Sequence, residues 1–75
     1  MEIELRLFAT LAARMPAGAE RYPIPNGMTI RQLLEQLQLP PDEAKLIFVN
    51  GVRTGLETVL HGGERVGIFP PVGGG

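Results

Sequence analysis

The sequence predicts a small α+β domain in which one amphipathic helix packs on a mixed sheet of about five strands. Three features predict it: an alternating apolar segment at the start, one capped helix with an apolar stripe, and several short strand-like segments separated by turn signals. A chain of 75 residues has room for one domain. Because one stripe must be buried, we expect the helix to cover a single face of the sheet.

Two strands are predicted ahead of the helix. Residues 2–8 alternate between apolar and polar side chains, the period of a half-buried strand. Residues 9–14 are rich in alanine and favour a helical turn. The segment 21–25 is a weaker strand candidate with two prolines, which cannot donate ladder hydrogen bonds. We therefore expect this second strand at an edge of the sheet.

The helix is predicted from its cap and its spacing. Thr29 is a favourable N-cap, and Gln32 three residues later completes a capping box. Pro40 and Pro41 prevent the helix from continuing further. The apolar stripe repeats with helical spacing and comprises Ile30, Leu33, Leu34 and Leu37.

Three more strands are predicted after the helix. Residues 46–49 form a continuous apolar run, which indicates a buried strand. Asn50 and Gly51 form the strongest short signal for a hairpin turn, with a return strand over 52–54. The last strand is predicted over 65–69, after a glycine pair that turns the chain.

The composition excludes several kinds of function. The chain has no Cys and no Ser and only one His, so we expect no metal site and no self-contained active site. Seven basic and eight acidic residues are too balanced for a nucleic-acid binder. No apolar run approaches the roughly 20 residues that span a bilayer, and the N-terminus is acidic, unlike a signal peptide. We expect a soluble, cytoplasmic protein that acts as a substrate, carrier or subunit.

The C-terminus is the most unusual part of the sequence. We predict a folded domain over 1–69 and an extended, flexible tail over 70–75, because a proline pair is followed by a valine and three glycines. Glycine has no Cβ, so Gly73 and Gly74 could pass through a narrow channel of a partner. The carboxylate of Gly75 is the most reactive group that the chain offers. The alternative is an inert, frayed terminus.

Two motifs carry a resemblance to a known family. They are Phe-Val-Asn-Gly at 48–51 and Val-Gly-Ile-Phe-Pro-Pro-Val-Gly-Gly-Gly at 66–75. With them the chain resembles the MoaD/ThiS family of sulfur carriers, which have a ubiquitin-like, β-grasp fold and a protruding C-terminal Gly-Gly. The Phe-Pro-Pro-Val run before the glycines favours the MoaD branch, the small subunit of molybdopterin synthase.

The resemblance implies a specific chemistry at the C-terminus. An E1-like adenylating enzyme of the MoeB/ThiF type would use ATP to activate Gly75, and a sulfur donor protein would convert it to a thiocarboxylate. A large synthase subunit of the MoaE type would then use that sulfur in molybdenum cofactor biosynthesis. The family implies that this chain binds no cofactor itself, since the partner uses the ATP.

A docking surface is predicted around the tail. Phe69, Pro70, Pro71 and Val72 flank its exit, and Phe8 lies on the polar face of the first strand, where an exposed aromatic residue can anchor a partner. The alternative readings are that Phe69 is partly core, that Val72 only spaces the tail and that Phe8 covers the sheet edge.

A basic patch is a further hypothesis. Arg6, Arg53 and Arg65 could together bind acidic residues of a partner. The alternative is that they are ordinary solvated charges, which contribute little.

Three other functions remain open from the sequence. The chain could carry sulfur for another pathway, such as thiamine, cysteine or tungsten cofactor biosynthesis, because the tail chemistry is shared. It could be a ubiquitin-like modifier joined to lysines of other proteins. It could also be a plain interaction module with an inert tail.

Overall fold

The fold has the predicted order of elements. The computed structural model of the protein describes residues 1–71. Within them five strands form a sheet, and one α-helix covers one face of that sheet. The helix lies between the second and third strands, as predicted. The strands are β1 (Glu2–Leu7), β2 (Tyr22–Pro23), β3 (Leu46–Val49), β4 (Val52–Thr54) and β5 (Arg65–Phe69), and the helix is α1 (Ile30–Leu37).

The capping box of α1 is confirmed. The backbone N–H of Gln32 donates to Oγ1 of Thr29 at 3.2 Å, and the N–H of Thr29 donates to Oε1 of Gln32 at 2.9 Å. The helix ends at Leu37, ahead of the proline pair, because Gln38 adopts a left-handed conformation with φ of 59°. Two N–H groups at the start of α1 and the chain direction at its end are thereby fixed by local interactions.

The core lies between α1 and one face of the sheet. Ile30, Leu33 and Leu34 of the helix stripe are at most 1% exposed. Each such side chain contributes about 1.5–3 kcal/mol through the apolar surface it removes from water. The sheet residues that share this cluster alternate along their strands and are Ile3, Leu5, Leu7, Ile47, Val66 and Ile68.

The sheet is mixed, and its central strand is the last one in sequence. The strand order is β2-β1-β5-β3-β4. β5 pairs in parallel with β1, where Leu5 lies opposite Val66, and antiparallel with β3, where Ile47 lies opposite Ile68. The helix connection between the N-terminal and C-terminal strands allows the parallel pair to form.

The Asn-Gly hairpin is also confirmed. Asn50 and Gly51 both have positive φ, 52° and 81°, as a two-residue turn between twisted strands requires. Oδ1 of Asn50 also accepts the backbone N–H of Arg65 at 2.9 Å, which ties the hairpin to the start of β5. At the other edge of the sheet, β2 is shorter than predicted and covers only two residues, the second of them Pro23.

Two features concern the limits of the fold. β5 ends at Phe69, and only Pro70 and Pro71 follow it among the described residues. No helix within residues 1–71 is long and apolar enough to cross a membrane.

Candidate functional site

The C-terminal segment leaves the fold from the central strand of the sheet. Ile68 is fully buried, Phe69 and Pro70 are half-buried and Pro71 is exposed. Because β5 is hydrogen-bonded on both sides, the point at which the segment emerges is fixed by two neighbouring strands. A reactive terminus attached here would be presented by a rigid base.

Three aromatic rings form a cluster beside this exit. The rings of Phe8 and Phe69 are stacked, with centroids 4.2 Å apart and planes inclined by 4°. The ring of Phe48 meets that of Phe69 edge-on, with centroids 5.7 Å apart and an angle of 80°. Both arrangements are favourable for aromatic pairs. The cluster of Phe8, Phe48 and Phe69 lies on the outer face of the sheet, opposite α1.

The end of β1 places Phe8 over the central strand. The backbone N–H of Phe8 donates to the carbonyl of Ile68 at 3.0 Å, which extends the pairing of β1 with β5 by one residue. Ala9 then adopts a left-handed conformation with φ of 53°, and the chain turns into a 3-10 helix. Phe8 is therefore held on the face of the sheet and does not cover its edge.

One row of residues crosses the outer face of the sheet and includes Phe48 of the aromatic cluster. Arg6 lies opposite Gly67, Gly67 opposite Phe48 and Phe48 opposite Arg53. Gly67 has no side chain, and a Cβ placed there would be 3.2 Å from Cε2 of Phe8. The glycine lets the Phe8 ring lie close to the backbone of β5 and leaves a depression in the middle of the face.

This depression is a shallow groove, which we call the outer groove. Its volume is about 160 Å³. It is mainly apolar, with arginines at its margin, and is open to solvent. Aromatic and arginine side chains together are typical of protein–protein interfaces. The residues that line it are Arg6, Phe8, Phe48, Gly51, Arg65, Val66, Gly67 and Phe69.

The structure brings some of the predicted site residues together. Phe8 and Phe69 are in direct contact, and Pro70 and Pro71 follow immediately. Phe69 is not part of the core, because it lies on the outer face and remains half-exposed. The other predicted site residues lie outside the described residues and are Val72, Gly73, Gly74 and Gly75.

Four residues that line the groove were not predicted as site residues, and they are Phe48, Gly51, Val66 and Gly67. The apolar run 46–49 was expected to form a buried strand, and the strand is present, but only Ile47 is fully buried and Phe48 points to the outer face. Alternation of side chains along a strand was the signal that could have identified Phe48. A glycine in the middle of a strand, here Gly67, is the signal for a close approach.

The polar loop ahead of β5 lies at the other end of that strand. Oε2 of Glu64 accepts the backbone N–H of His61 at 2.8 Å, and Oε1 accepts that of Gly62 at 2.7 Å. Burial raises the pKa of Glu64, but these backbone N–H groups, its own N–H and the charge of His61 lower it, so the pKa lies below its ordinary value. Glu64 is thus an ionised structural group, remote from the tail exit.

Within residues 1–71 there is no group of three or more His, Cys, Asp or Glu side chains placed to hold a metal ion. The outer groove offers aromatic rings and guanidinium groups, which bind and position but do not supply a nucleophile.

One family model matches almost the whole chain. The family model described as the ThiS family matches residues 5–75. The chain belongs to the ThiS family. Comparison with curated proteins finds no match.

Solved structures share the fold of this ThiS-family chain. Small archaeal modifier protein 1 of Haloferax volcanii has 22% identity and a TM-score of 0.70, over 95% of this chain and 98% of its own. A Pyrococcus furiosus protein provisionally assigned as molybdopterin converting factor, subunit 1, has 25% identity and a TM-score of 0.72, over 95% and 98%. The HVO 2177 protein of Haloferax volcanii has 26% identity and a TM-score of 0.77, over 100% and 87%. The fold is the ubiquitin-like β-grasp.

Proposed function

We propose that this chain is the sulfur-carrying small subunit of a molybdopterin synthase. Its Gly75 carboxylate is adenylated, converted to a thiocarboxylate and used as the sulfur donor in molybdenum cofactor biosynthesis. The chain binds no cofactor of its own in this function, and ATP is bound by the activating partner.

The observation that carries the proposal is the way in which the C-terminal segment leaves the sheet. The central strand β5 ends in the stacked Phe69, and the sequence then continues through Pro70 to Gly75. Six residues span at most about 20 Å, enough to carry a carboxylate from the aromatic cluster into an active site of a bound partner. A docking surface and a reactive terminus are thereby joined by a short segment.

The chemistry requires a partner at each step. A carboxylate oxygen of Gly75 attacks the α-phosphorus of ATP, and pyrophosphate leaves. The terminal sulfur of a donor persulfide then attacks the acyl carbon, so that a carbon–sulfur bond forms and AMP departs. A thiol cleaves the resulting acyl disulfide, which leaves the thiocarboxylate and a disulfide on the donor side. Since this chain has no Cys, sulfur is carried only at the C-terminus.

Two partners are expected to use the same surface in turn. An E1-like adenylating enzyme binds the chain for activation, and a large synthase subunit binds it for sulfur transfer. Phe8, Phe48 and Phe69 would provide the apolar contacts, while Gly73 and Gly74 pass through the partner's channel. Large, partly exposed aromatic residues are the usual anchors of such interfaces.

The choice of the molybdopterin branch is supported by two features. The Phe-Pro-Pro-Val run at 69–72 favours it over the thiamine branch. The likeness to the Pyrococcus furiosus protein provisionally assigned as molybdopterin converting factor, subunit 1, extends over nearly the whole chain. Sulfur transfer to a pterin precursor in the presence of the large subunit, and not to a thiazole precursor, is the expected outcome of reconstitution.

The test of the carrier function is the state of the C-terminus in native cells. Protein purified from these cells is run on a gel with an immobilised mercury group, beside a form that lacks Gly75. Because the chain has no thiol, only a thiocarboxylate retards it. Retardation of the full chain alone is the expected result. Its absence, even after incubation with ATP, a sulfur source and the activating enzyme, would overturn the proposal.

The protein-modifier function is distinguished by its product. The likeness to small archaeal modifier protein 1 is at 22% identity and supports the shared fold alone. A modifier would give isopeptide-linked conjugates of high mass in cell extract, which disappear when Gly75 is removed. A sulfur carrier gives the mercury-sensitive monomer instead.

A further inference from the structure

The arginines of this chain are not all in the same environment. Within residues 1–71, four of the six have a carboxylate within ion-pair distance, and Arg53 and Arg65 do not. Each paired arginine has its own acidic partner. The pairs are Arg6–Glu4, Arg14–Glu43, Arg21–Glu2 and Arg31–Glu57.

The two arginines without an ion pair lie on the same surface. Arg53 lies directly opposite Phe48 in the sheet, and Arg65 lines the outer groove. Residues opposite each other on neighbouring strands project from the same face. Arg65 thus lines the outer groove and Arg53 lies one strand away from it, and within residues 1–71 neither guanidinium group has a carboxylate within ion-pair distance.

The charge around the groove differs in sign from that of the whole chain. Arg6 and Arg65 line it, Arg53 lies beside it opposite Phe48, and Glu4, which lies opposite Arg65 in the sheet, is bound to Arg6 at 3.4 Å. The chain as a whole has a formal net charge of −1. A local positive field at an apolar groove attracts a partner of opposite charge.

The aromatic rings favour a protein over a nucleic acid as that partner. Single-stranded nucleic acids bind by stacking bases on open aromatic faces. Here Phe8 and Phe69 stack on each other, and the edge of Phe48 contacts Phe69 as well. One face of each stacked ring is therefore occupied by the other ring, and the apolar margin of the cluster and the groove beside Gly67 can receive an apolar side chain.

We propose that the outer groove docks a partner surface made of an apolar projection flanked by carboxylates, with Arg53 and Arg65 as the residues that select it. This inference rests on the proposed function, because it takes the adenylating enzyme as that partner. The arginines steer the encounter and fix the register of the complex, while the aromatic cluster provides the contact area.

The chain offers a matched control for this role. Lys45 is exposed and, like Arg53 and Arg65, has no ion pair within residues 1–71. It lies outside the outer groove, close to Ile47 and Thr54. Replacing Lys45 by Glu changes the net charge by the same amount as replacing either arginine, so an effect of overall charge appears in all three variants.

The experiment measures ATP–pyrophosphate exchange by the purified adenylating enzyme as a function of the concentration of the full chain. The variants are Arg53→Glu, Arg65→Glu and Lys45→Glu, with Arg53→Gln and Arg65→Gln as milder changes. We expect each arginine-to-glutamate variant to raise KM about tenfold at low salt with kcat unchanged, and each glutamine variant to raise it less. Lys45→Glu stays close to the wild type.

The dependence of KM on salt concentration distinguishes charge steering from a simple loss of contact. The KM of the wild type should rise as NaCl is increased, while that of the Arg53→Glu/Arg65→Glu double variant should respond less. Thermal unfolding of every variant checks that the fold is kept, and the glutamine variants decide the question if a glutamate variant does not fold.

Two negative outcomes have different meanings. If the wild type supports exchange but the arginine variants have the same KM as Lys45→Glu, the selection role of Arg53 and Arg65 is overturned and the carrier function stands. If the wild type gives no ATP-dependent exchange, the proposed function fails, and this inference fails with it.

Discussion

The rings of Phe8 and Phe69 are stacked with centroids 4.2 Å apart, although one residue follows the first strand of the chain and the other ends the last. The contact exists because β1 and β5 are parallel neighbours, so their C-terminal ends meet at the same edge. The start of the C-terminal segment is therefore attached to the beginning of the chain as well as to its own strand.

The first prediction concerns the stacked pair. Phe8→Ala and Phe69→Ala should each lower the free energy of unfolding by about 1–2 kcal/mol, less than for a fully buried ring, because both are half-exposed. In a double-mutant cycle, measured by urea unfolding followed by circular dichroism, we expect a coupling energy of about 0.5–1.5 kcal/mol. Val52→Ala, at a position 67% exposed, is the control and should have little effect. Additive effects of the two Phe variants would show that the stack contributes nothing beyond burial.

The second prediction concerns the glycine beneath Phe8. Gly67→Val should displace the Phe8 ring, since even a Cβ would be 3.2 Å from Cε2, and should destabilise the fold by about 1–3 kcal/mol. The ring-current shifts of the Phe8 and Phe69 protons report the displacement by NMR. Gly55→Val is the matched control, because a Cβ there would have no atom within 4 Å. Unchanged ring shifts in Gly67→Val would contradict the role given to this glycine.

The third prediction concerns the start of α1. Thr29→Ala removes the side-chain acceptor of the Gln32 N–H and should cost about 1 kcal/mol in the free energy of unfolding. Thr10→Ala removes an exposed hydroxyl with no cap function and should change stability by less than about 0.5 kcal/mol. Equal losses in the two variants would argue against the capping box as the cause.

The fourth prediction concerns the pH dependence of stability. The pKa of Glu64 is lowered in the folded state, so its carboxylate stabilises the fold above the pKa of the unfolded chain. That contribution is lost as the pH falls through the lower folded value, below the ordinary value of 4.5. Glu64→Gln should therefore lower stability at pH 7 by about 1 kcal/mol or less, given partial screening by solvent, and should reduce the loss between neutral and acid pH.

The control for this prediction is Glu35→Gln, on the exposed side of α1. Thermal unfolding of both variants and the wild type across acid and neutral pH measures the difference. If Glu64→Gln and the wild type lose stability in parallel on acidification, the hydrogen bonds from His61 and Gly62 do not depend on the ionised carboxylate.

Much of the fold could be predicted because its signals are local. The capping box at Thr29 and Gln32 and the turn at Asn50 and Gly51 depend on residues close in sequence, and both have the expected geometry. The edge position predicted for the proline-containing strand is also observed. The strand predicted over 46–49 is observed, but its expected burial was wrong, because a run of apolar residues does not reveal that within residues 1–71 one side of the sheet has no covering layer.

The candidate site could be predicted only in part. The carboxylate of Gly75 was identified from composition as the most reactive group, since the chain has no Cys or Ser. Its role stays a prediction. Phe8 and Phe69 were named individually, but their contact was not. Phe48 and Gly67 were missed because their importance lies in what faces them across the sheet.

The sequence by itself determined which segments form strands and helix and which residues of most strands face the core. These properties depend on a period of two or 3.6 residues and on local hydrogen bonds. Only the tertiary structure decided that β5 lies between β1 and β3 and that Arg6, Gly67, Phe48 and Arg53 form one row. Strand order and register arise from hydrogen bonds and packing between segments far apart in the chain, and alternation within one strand does not specify its neighbours.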